Sequence, residues 1–226
     1  METKSNNSRR SFMGAVMLGA TASSLSLFAN PMYAGITEFD DKKMGEADEW
    51  FKKVKGRHRI VYDGSTPHDG FPIIWNWAFY LSNNETGSPD DDITAMTVLR
   101  HNAIPFAFKS SLWKKYNLGE VFEVVDNSTK APSTRNPYYE PREGDFPMPV
   151  IQGIKDMQER GALFCVCNLA IGVYSGVVAQ KMGMDPKETY QDWVDAIHPG
   201  IQLVPSGVWA LGRAQENGCG YIFAGN

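Results

Sequence analysis

The chain has 226 residues, 42% of them hydrophobic and 21% charged, with a formal net charge of −4 at pH 7. That is an ordinary globular composition, long enough for one domain with a substantial core. Residues 1–34 hold only Glu2, Lys4, Arg9 and Arg10 as charged groups, so the remainder carries −6 and no basic stretch, which argues against a nucleic-acid partner held through phosphate neutralisation.

In chain order, SRRSFMG at residues 8–14 resembles the twin-arginine export signature. Two arginines precede a Phe and an apolar residue, with Met13 where Leu is commoner and Gly14 where Lys is commoner. The segment that follows, AVMLGATASSLSLFA, is diluted by Gly, Ala, Ser and Thr, too short and too weakly apolar for a membrane span. With cleavage after Ala34, residues 1–34 form a signal peptide and the protein is expected to be periplasmic or otherwise exported. No later apolar run approaches ~20 residues, so no membrane span is expected once the signal is removed.

Residues 35–56 read as an N-terminal extension in which DEWFKKVKG forms a surface helix, and residues 57–226 as the main domain. RIVYD (59–63) is a first strand, followed by the loop GSTPHDG (64–70). FPIIWNWAFYLSNN, with Pro72 in its first turn, reads as a buried helix. DDITAMTVLRH gives a second strand, and NAIPFAFKSSLWKKYNLG a helix ending near Gly119. Residues 126–149 are proline-rich and aperiodic, a long loop whose Arg135, Tyr138, Tyr139 and Arg142 suit a lid or subunit contact as well as a solvated insertion. Then come a helix (150–162), the strand LFCVC (163–167), a helix from Asn168, a helix PKETYQDWVDAI, the strand GIQLV, a helix VWALGRAQENG and a last strand CGYIF. This alternation predicts an α/β fold, a mostly parallel sheet with helices on both faces.

The C-terminal third, LFCVCNLAIG…KMGM…GIQLVPSGVWALGRAQENGCGYIF, resembles the DsrE/DsrF-like family of small sulfur-relay proteins. The shared pattern is a hydrophobic strand ending in Cys, a helix, a strand with a Val-Pro-x-Gly turn, and a closing helix before Gly-Tyr-Ile. LRHNAIPFAF (99–108) is similar to the family's second-strand exit, with Asn102 where Gly is often seen. The resemblance covers residues 57–226 and implies a flavodoxin-like domain that assembles as a homo-oligomer, a trimer or hexamer. It further implies a cysteine, here Cys167, that accepts sulfur as a persulfide from a donor protein and passes it to an acceptor. The family's characterised relay proteins are cytoplasmic, whereas this chain carries an export-like leader.

Read from the residues themselves, Cys167 stands at the C-terminal end of a strand, the edge where open α/β sheets bind ligands. Asn168 follows it and is a favoured N-cap type, so the thiol lies at a helix N-terminus, where the dipole favours thiolate. The competing reading makes Cys167 a packing residue. Cys165 belongs with the buried run and Cys219, between two glycines, with a structural role; a Cys-x-Cys metal site lacks local partners. His101 closes the second strand at the same edge, placed to pair with the thiolate or, equally, to meet a carbonyl or cap a helix. His198 reads as a loop residue, His58 and His68 receive no role, and Arg100 and Arg213 suit either an anion or a surface pair. Asp90, Asp91 and Asp92 read as a solvated loop rather than a metal site. No Gly-rich phosphate loop, zinc-protease pair or nucleophile elbow occurs, so no cofactor is assigned. Two functional readings follow: a sulfur- or thiol-handling protein acting through Cys167 with His101, or a non-catalytic binding module or oligomeric accessory subunit.

Overall fold

The structure, a computed structural model, describes residues 39–226; the signal-peptide segment expected over residues 1–34 lies outside them. Five parallel strands, β1 (His58–Gly64), β2 (Ile93–Leu99), β3 (Leu163–Cys167), β4 (Ile201–Val204) and β5 (Gly220–Phe223), form one sheet in the order β4-β3-β2-β1-β5. Helices cover both faces, giving the expected α/β, flavodoxin-like architecture. All seven residues of the central strand β2 are buried, as expected for a parallel strand covered on both sides.

The chain order explains the layering. From β1 to β4 the strands are added stepwise in one direction, and right-handed crossovers then put the connecting helices on one face. The return from β4 to β5 runs back across the whole sheet, so its helix belongs to the opposite face. That helix, α8 (Gly207–Glu216), touches all five strands. Strand alternation divides the core accordingly. Val61, Met96, Val98, Cys165 and Val204 pack with Ala210, Leu211 and Ala214 of α8. Thr97 points the other way, where Asn76 of α2 (Phe71–Glu85) donates to its hydroxyl and to the Ala95 carbonyl.

Helix α1 (Asp41–Phe51) starts at Asp40, whose carboxylate accepts the Lys43 backbone N–H at 2.8 Å. Its Ala47, Trp50 and Phe51 are buried in the α8-side core. The segment expected to lie on the surface thus covers the sheet beside β4. Its sequence mixes charges with a single Trp-Phe pair, and that pair is what is buried.

The single helix expected after β2 is broken. Residues His101–Ala107 form a 3-10 run containing Pro105, Phe108 is extended, and α3 (Ser110–Tyr116) stops at Asn117 in the left-handed region before the one-turn α4 (Leu118–Val121). Proline's missing N–H and Asn117's tolerance of positive φ account for both breaks. After α4 comes the long loop, which has no helix or strand yet is well tied down. Arg135 donates to both carboxylate oxygens of Asp145, at 2.8 and 2.6 Å, and Asn136 donates to the Phe106 and Phe108 carbonyls. Asp145 is 3% exposed and Tyr138 5%. This is a strap packed on the domain, so the solvated-insertion alternative does not describe it. Helix α5 (Ile154–Glu159) follows the strap, and α6 (Asn168–Met182) and α7 (Pro186–Asp195) pack together between β3 and β4.

The strap also fixes a histidine. Tyr139 stacks on His198, with ring centroids 3.3 Å apart, and His198 Nε2 is buried with no hydrogen-bond partner. Burial, helped by Lys109, lowers the His198 pKa from 6.5 to about 4. The unfolded chain therefore takes up this proton at a higher pH than the folded one, and stability should fall as pH drops from 6.5 towards about 4. Denaturant midpoints at about pH 7 and about pH 4.5 check this: His198→Phe, which keeps the stack but cannot titrate, should lose less stability between them than wild type.

Candidate functional site

Three strand ends and one helix start converge at the C-terminal edge of the sheet. β1 supplies Asp63, the residue after β2 is Arg100, β3 ends in Cys167, and α8 begins at Gly207 behind its N-cap Ser206. Asp63 is 2% exposed, a position where a carboxylate needs full compensation. Arg100 gives it two hydrogen bonds, Nε at 2.5 Å and Nη2 at 2.9 Å, and the Tyr221 hydroxyl on β5 donates a third at 2.8 Å. The carboxylate in turn holds the guanidinium pKa above its usual value. Gly207 accommodates the arginine stem: a Cβ there would lie 2.5 Å from Arg100 Cβ.

Cys167 is itself the N-cap of α6, where Asn168 was expected. Its Sγ accepts the Ala170 backbone N–H at 3.3 Å. Asn168 is instead the first helical residue, buried, its Oδ1 accepting from the Tyr190 hydroxyl at 2.6 Å. Opposing influences act on the Cys167 thiol. Burial, the largest, pushes its pKa up; the backbone N–H groups of Ala170, Gly207 and Leu169 and the charge on Arg100 pull it down, and burial wins. The resting group is a neutral thiol, 6% exposed, in a setting built to hold a sulfur anion: two helix N-termini and a guanidinium.

His101 lies next to Arg100 in sequence, but its hydrogen bond goes elsewhere. It has φ +50° and its Nδ1 is 2.6 Å from the Tyr174 hydroxyl. That hydroxyl also donates to Asn102 Oδ1, so it accepts from His101, which then carries its proton on Nδ1. Burial and, second, Arg100 lower the His101 pKa. The group electrostatically coupled to Cys167 is Arg100.

The other sequence candidates fall into structural roles. Cys165 is fully buried in the α8-side core, and burial pushes its pKa up. Cys219 is buried in the same cluster, and all three cysteines are free. Arg213 pairs with Glu216 and Asp48. The aspartate run is divided between two arginines, Asp90 with Arg160 and Asp92 with Arg57, so it serves as a pair of ion-pair anchors. Among the described residues no three His, Cys, Asp or Glu side chains gather as a metal site would need, and no helix is long and apolar enough to cross a membrane. Asp63, Tyr221 and Gly207 were not singled out from sequence. The signal for Asp63 was there, a lone carboxylate directly after the apolar run Ile60–Tyr62 of β1; Tyr221 and Gly207 gave none.

Fold and site together define a flavodoxin-like α/β protein with an arginine-flanked thiol at the sheet's C-terminal edge. No protein-family model and no curated protein matches the chain. Among solved structures it is similar to a protein of unknown function, MTH1491 from Methanobacterium thermoautotrophicum, at 15% identity and a TM-score of 0.38, over 74% of this chain and 99% of that one. A likeness that distant carries no inference about activity.

The balance at Cys167 can be measured. Alkylation followed by mass spectrometry across a pH series should give an apparent pKa above the ordinary 9.0, and Cys165 should react only on unfolding. Neutralising the ion pair as a whole, with Asp63→Asn and Arg100→Gln together, should raise the Cys167 value further. An apparent value below that ordinary 9.0 would contradict the dominance of burial.

Proposed function

We propose that this is an exported, DsrE-like protein that carries sulfur on Cys167. The observation that carries the reading is the position of Cys167 Sγ: at the N-terminus of α6, beside the first N–H of α8 and in the field of Arg100. In the reaction the Cys167 sulfur, as thiolate, attacks the outer sulfur of a donor persulfide R–S–SH. The donor S–S bond breaks and R–S⁻ leaves, taking up the proton that Cys167 gave up; the outer sulfur with its own proton is now bonded to Cys167. An acceptor thiolate repeats the displacement on that outer sulfur and regenerates the thiol. No oxidant is consumed. The N–H groups and Arg100 stabilise the thiolate that must form as nucleophile and again as leaving group. Because Cys167 is 6% exposed, loading also requires a movement that uncovers the sulfur, and a donor protein able to provoke it supplies specificity. His101, hydrogen-bonded to Tyr174, then acts on the ordering of the residues after β2 or as a proton carrier once the site opens.

The resemblance to the relay family also supports a homo-oligomer, trimer or hexamer. Edge strand β5 exposes Tyr221 at 46%, Ile222 at 41% and Phe223 at 48%, an apolar strip beside an unpaired strand edge. Export by the twin-arginine route, resting on Arg9 and Arg10, places the protein in the periplasm or beyond.

Two measurements test this. Incubation with a small-molecule persulfide donor, followed by mass spectrometry, should add one sulfur to wild type and to Cys165→Ser. Cys167→Ser should add none, and transfer to an acceptor thiol should fall to background in that variant alone. Equal loading of wild type and Cys167→Ser sinks the reading. Light scattering should give a mass above that of the 25.2 kDa chain, and Ile222→Lys should shift it towards the monomer.

A further inference from the structure

A second feature lies on the α2 side of the same sheet end and involves none of the sulfur-handling residues. The loop after β1, the start of α2 and the strap enclose a cavity of about 340 Å³, towards the small end of the ~300–1,000 Å³ typical of ligand sites. Three aromatic rings line it, Phe71, Tyr138 and Phe146, together with the carboxylates of Asp69 and Glu123. None of its lining residues is Lys, Arg or His. A third carboxylate, Asp145, is already neutralised by Arg135. Asp69 and Glu123 have no ion-pair or hydrogen-bond partner among the described residues.

Tyr138 is the most telling member. It is 5% exposed, and its hydroxyl oxygen is the part that stays accessible, making no hydrogen bond to another described residue and so free to bond to whatever occupies the cavity. Its ring is fixed against Phe146 at 5.1 Å and edge-on to Phe106 at 4.8 Å. Gly70, with φ +84°, lets that ring approach the loop, since a Cβ there would lie 2.7 Å from Tyr138 Cζ. The two unpaired carboxylates stand on left-handed backbone, Asp69 at φ +49° next to His68 at +41°, and Glu123 at +56°. Such conformations persist only where surrounding structure enforces them.

We propose that this cavity binds a small organic ammonium ion with an apolar body. The body contacts the aromatic rings, the ammonium meets Asp69 and Glu123, and the Tyr138 hydroxyl completes its hydrogen bonding on the ligand. Aromatic faces and unpaired carboxylates attract the same charge, and no lining cation competes for them. An anionic ligand would meet only repulsion there.

Calorimetric titration of the full chain with phenethylammonium tests the proposal, with 2-phenylethanol and phenylacetate as neutral and anionic controls. Phenethylammonium should bind saturably, 2-phenylethanol about tenfold or more weakly than it, and phenylacetate not measurably, given the worth of a charge-assisted hydrogen bond. Asp69→Asn with Glu123→Gln keeps shape and tolerance of positive φ at residue 69; it should weaken the ammonium about tenfold or more and leave 2-phenylethanol unchanged. Tyr138→Phe should weaken the ammonium several-fold. Val125→Lys, at a lining position that is 51% exposed, adds a competing cation without touching the carboxylates and should also weaken it. Cys167→Ser should bind as wild type does, which keeps this result separate from sulfur transfer. Absence of saturable ammonium binding, equal binding of phenylacetate, or unchanged affinity in both the carboxylate double variant and Val125→Lys overturns the proposal.

Discussion

The Asp63–Arg100 pair is the constraint from which the rest of the sheet edge follows. Asp63 stands one residue before the end of β1 with its side chain 3% exposed, and a lone carboxylate there would be untenable as an anion. Arg100 neutralises it with two hydrogen bonds, and to do so must leave the end of β2 on the α8 side of the sheet. Its stem then occupies the space beside the start of α8, which leaves room only for glycine at position 207. Tyr221 makes the third bond to the same carboxylate and so ties the edge strand β5 to the centre. One ion pair thus joins two central strands, an edge strand and the helix that crosses the sheet. Removing one partner alone would leave an uncompensated charge, typically a loss of about 3–5 kcal/mol.

The same pair sets the character of the thiol. Arg100 is held by Asp63, so its charge is partly spent before it reaches Cys167, and the pull on the thiol is correspondingly limited. Burial then outweighs the three N–H groups. A thiol of this kind is guarded rather than permanently reactive: the donors that stabilise its anion are already in place, while desolvation keeps the proton on. Any opening that admits solvent removes the larger, opposing influence and leaves the smaller, favourable ones. Exposure and activation are therefore one event at this site.

Much of this was legible in the sequence. The alternation of apolar runs with amphipathic stretches predicted the five strands and a mostly parallel sheet, because the buried stretches of β1, β2 and β3 are largely apolar and β-branched. Cys167 was recognisable from its place at a strand's end. The sequence misled where two elements meet rather than where one is formed. Asn168 is the better N-cap residue by type, but the strand runs one residue too short for it and the sulfur takes that position. Arg100 and His101 are adjacent, and the nearer match in chemical type to a thiolate is the histidine; the backbone turns at His101, φ +50°, and its hydrogen bond goes to Tyr174. Tyr221 could not be foreseen, since its partner is 158 residues away. The proline-rich strap left a lid or subunit contact and a solvated insertion equally open because it lacks periodicity; its order comes from the Arg135–Asp145 pair and from side chains bonding to backbone, which no periodic pattern records.

The strand exits share one further property. His68 and Asp69 after β1, and His101 after β2, all sit in the left-handed region without being glycine. Each such residue costs on the order of 1 kcal/mol or more and is retained only when tertiary contacts demand it. Here the contacts differ in kind. His101 is held by Tyr174, whereas His68 meets the Ala224 carbonyl through Nδ1 and lies against Phe71 with ring centroids 4.8 Å apart. The β1 exit is therefore braced from the chain's C-terminal end as well as from α2, next to the point where β5 returns to the sheet and reverses the strand order. In open α/β sheets that reversal opens a crevice between neighbouring loops. In this protein the two faces of the sheet divide the reversal's consequences. On the α8 side the gap is filled by Arg100, Tyr221 and the first turn of the crossing helix, and what remains is a covered thiol. On the α2 side the strap closes over the β1 exit without filling it, and what remains is a cavity lined by rings and carboxylates.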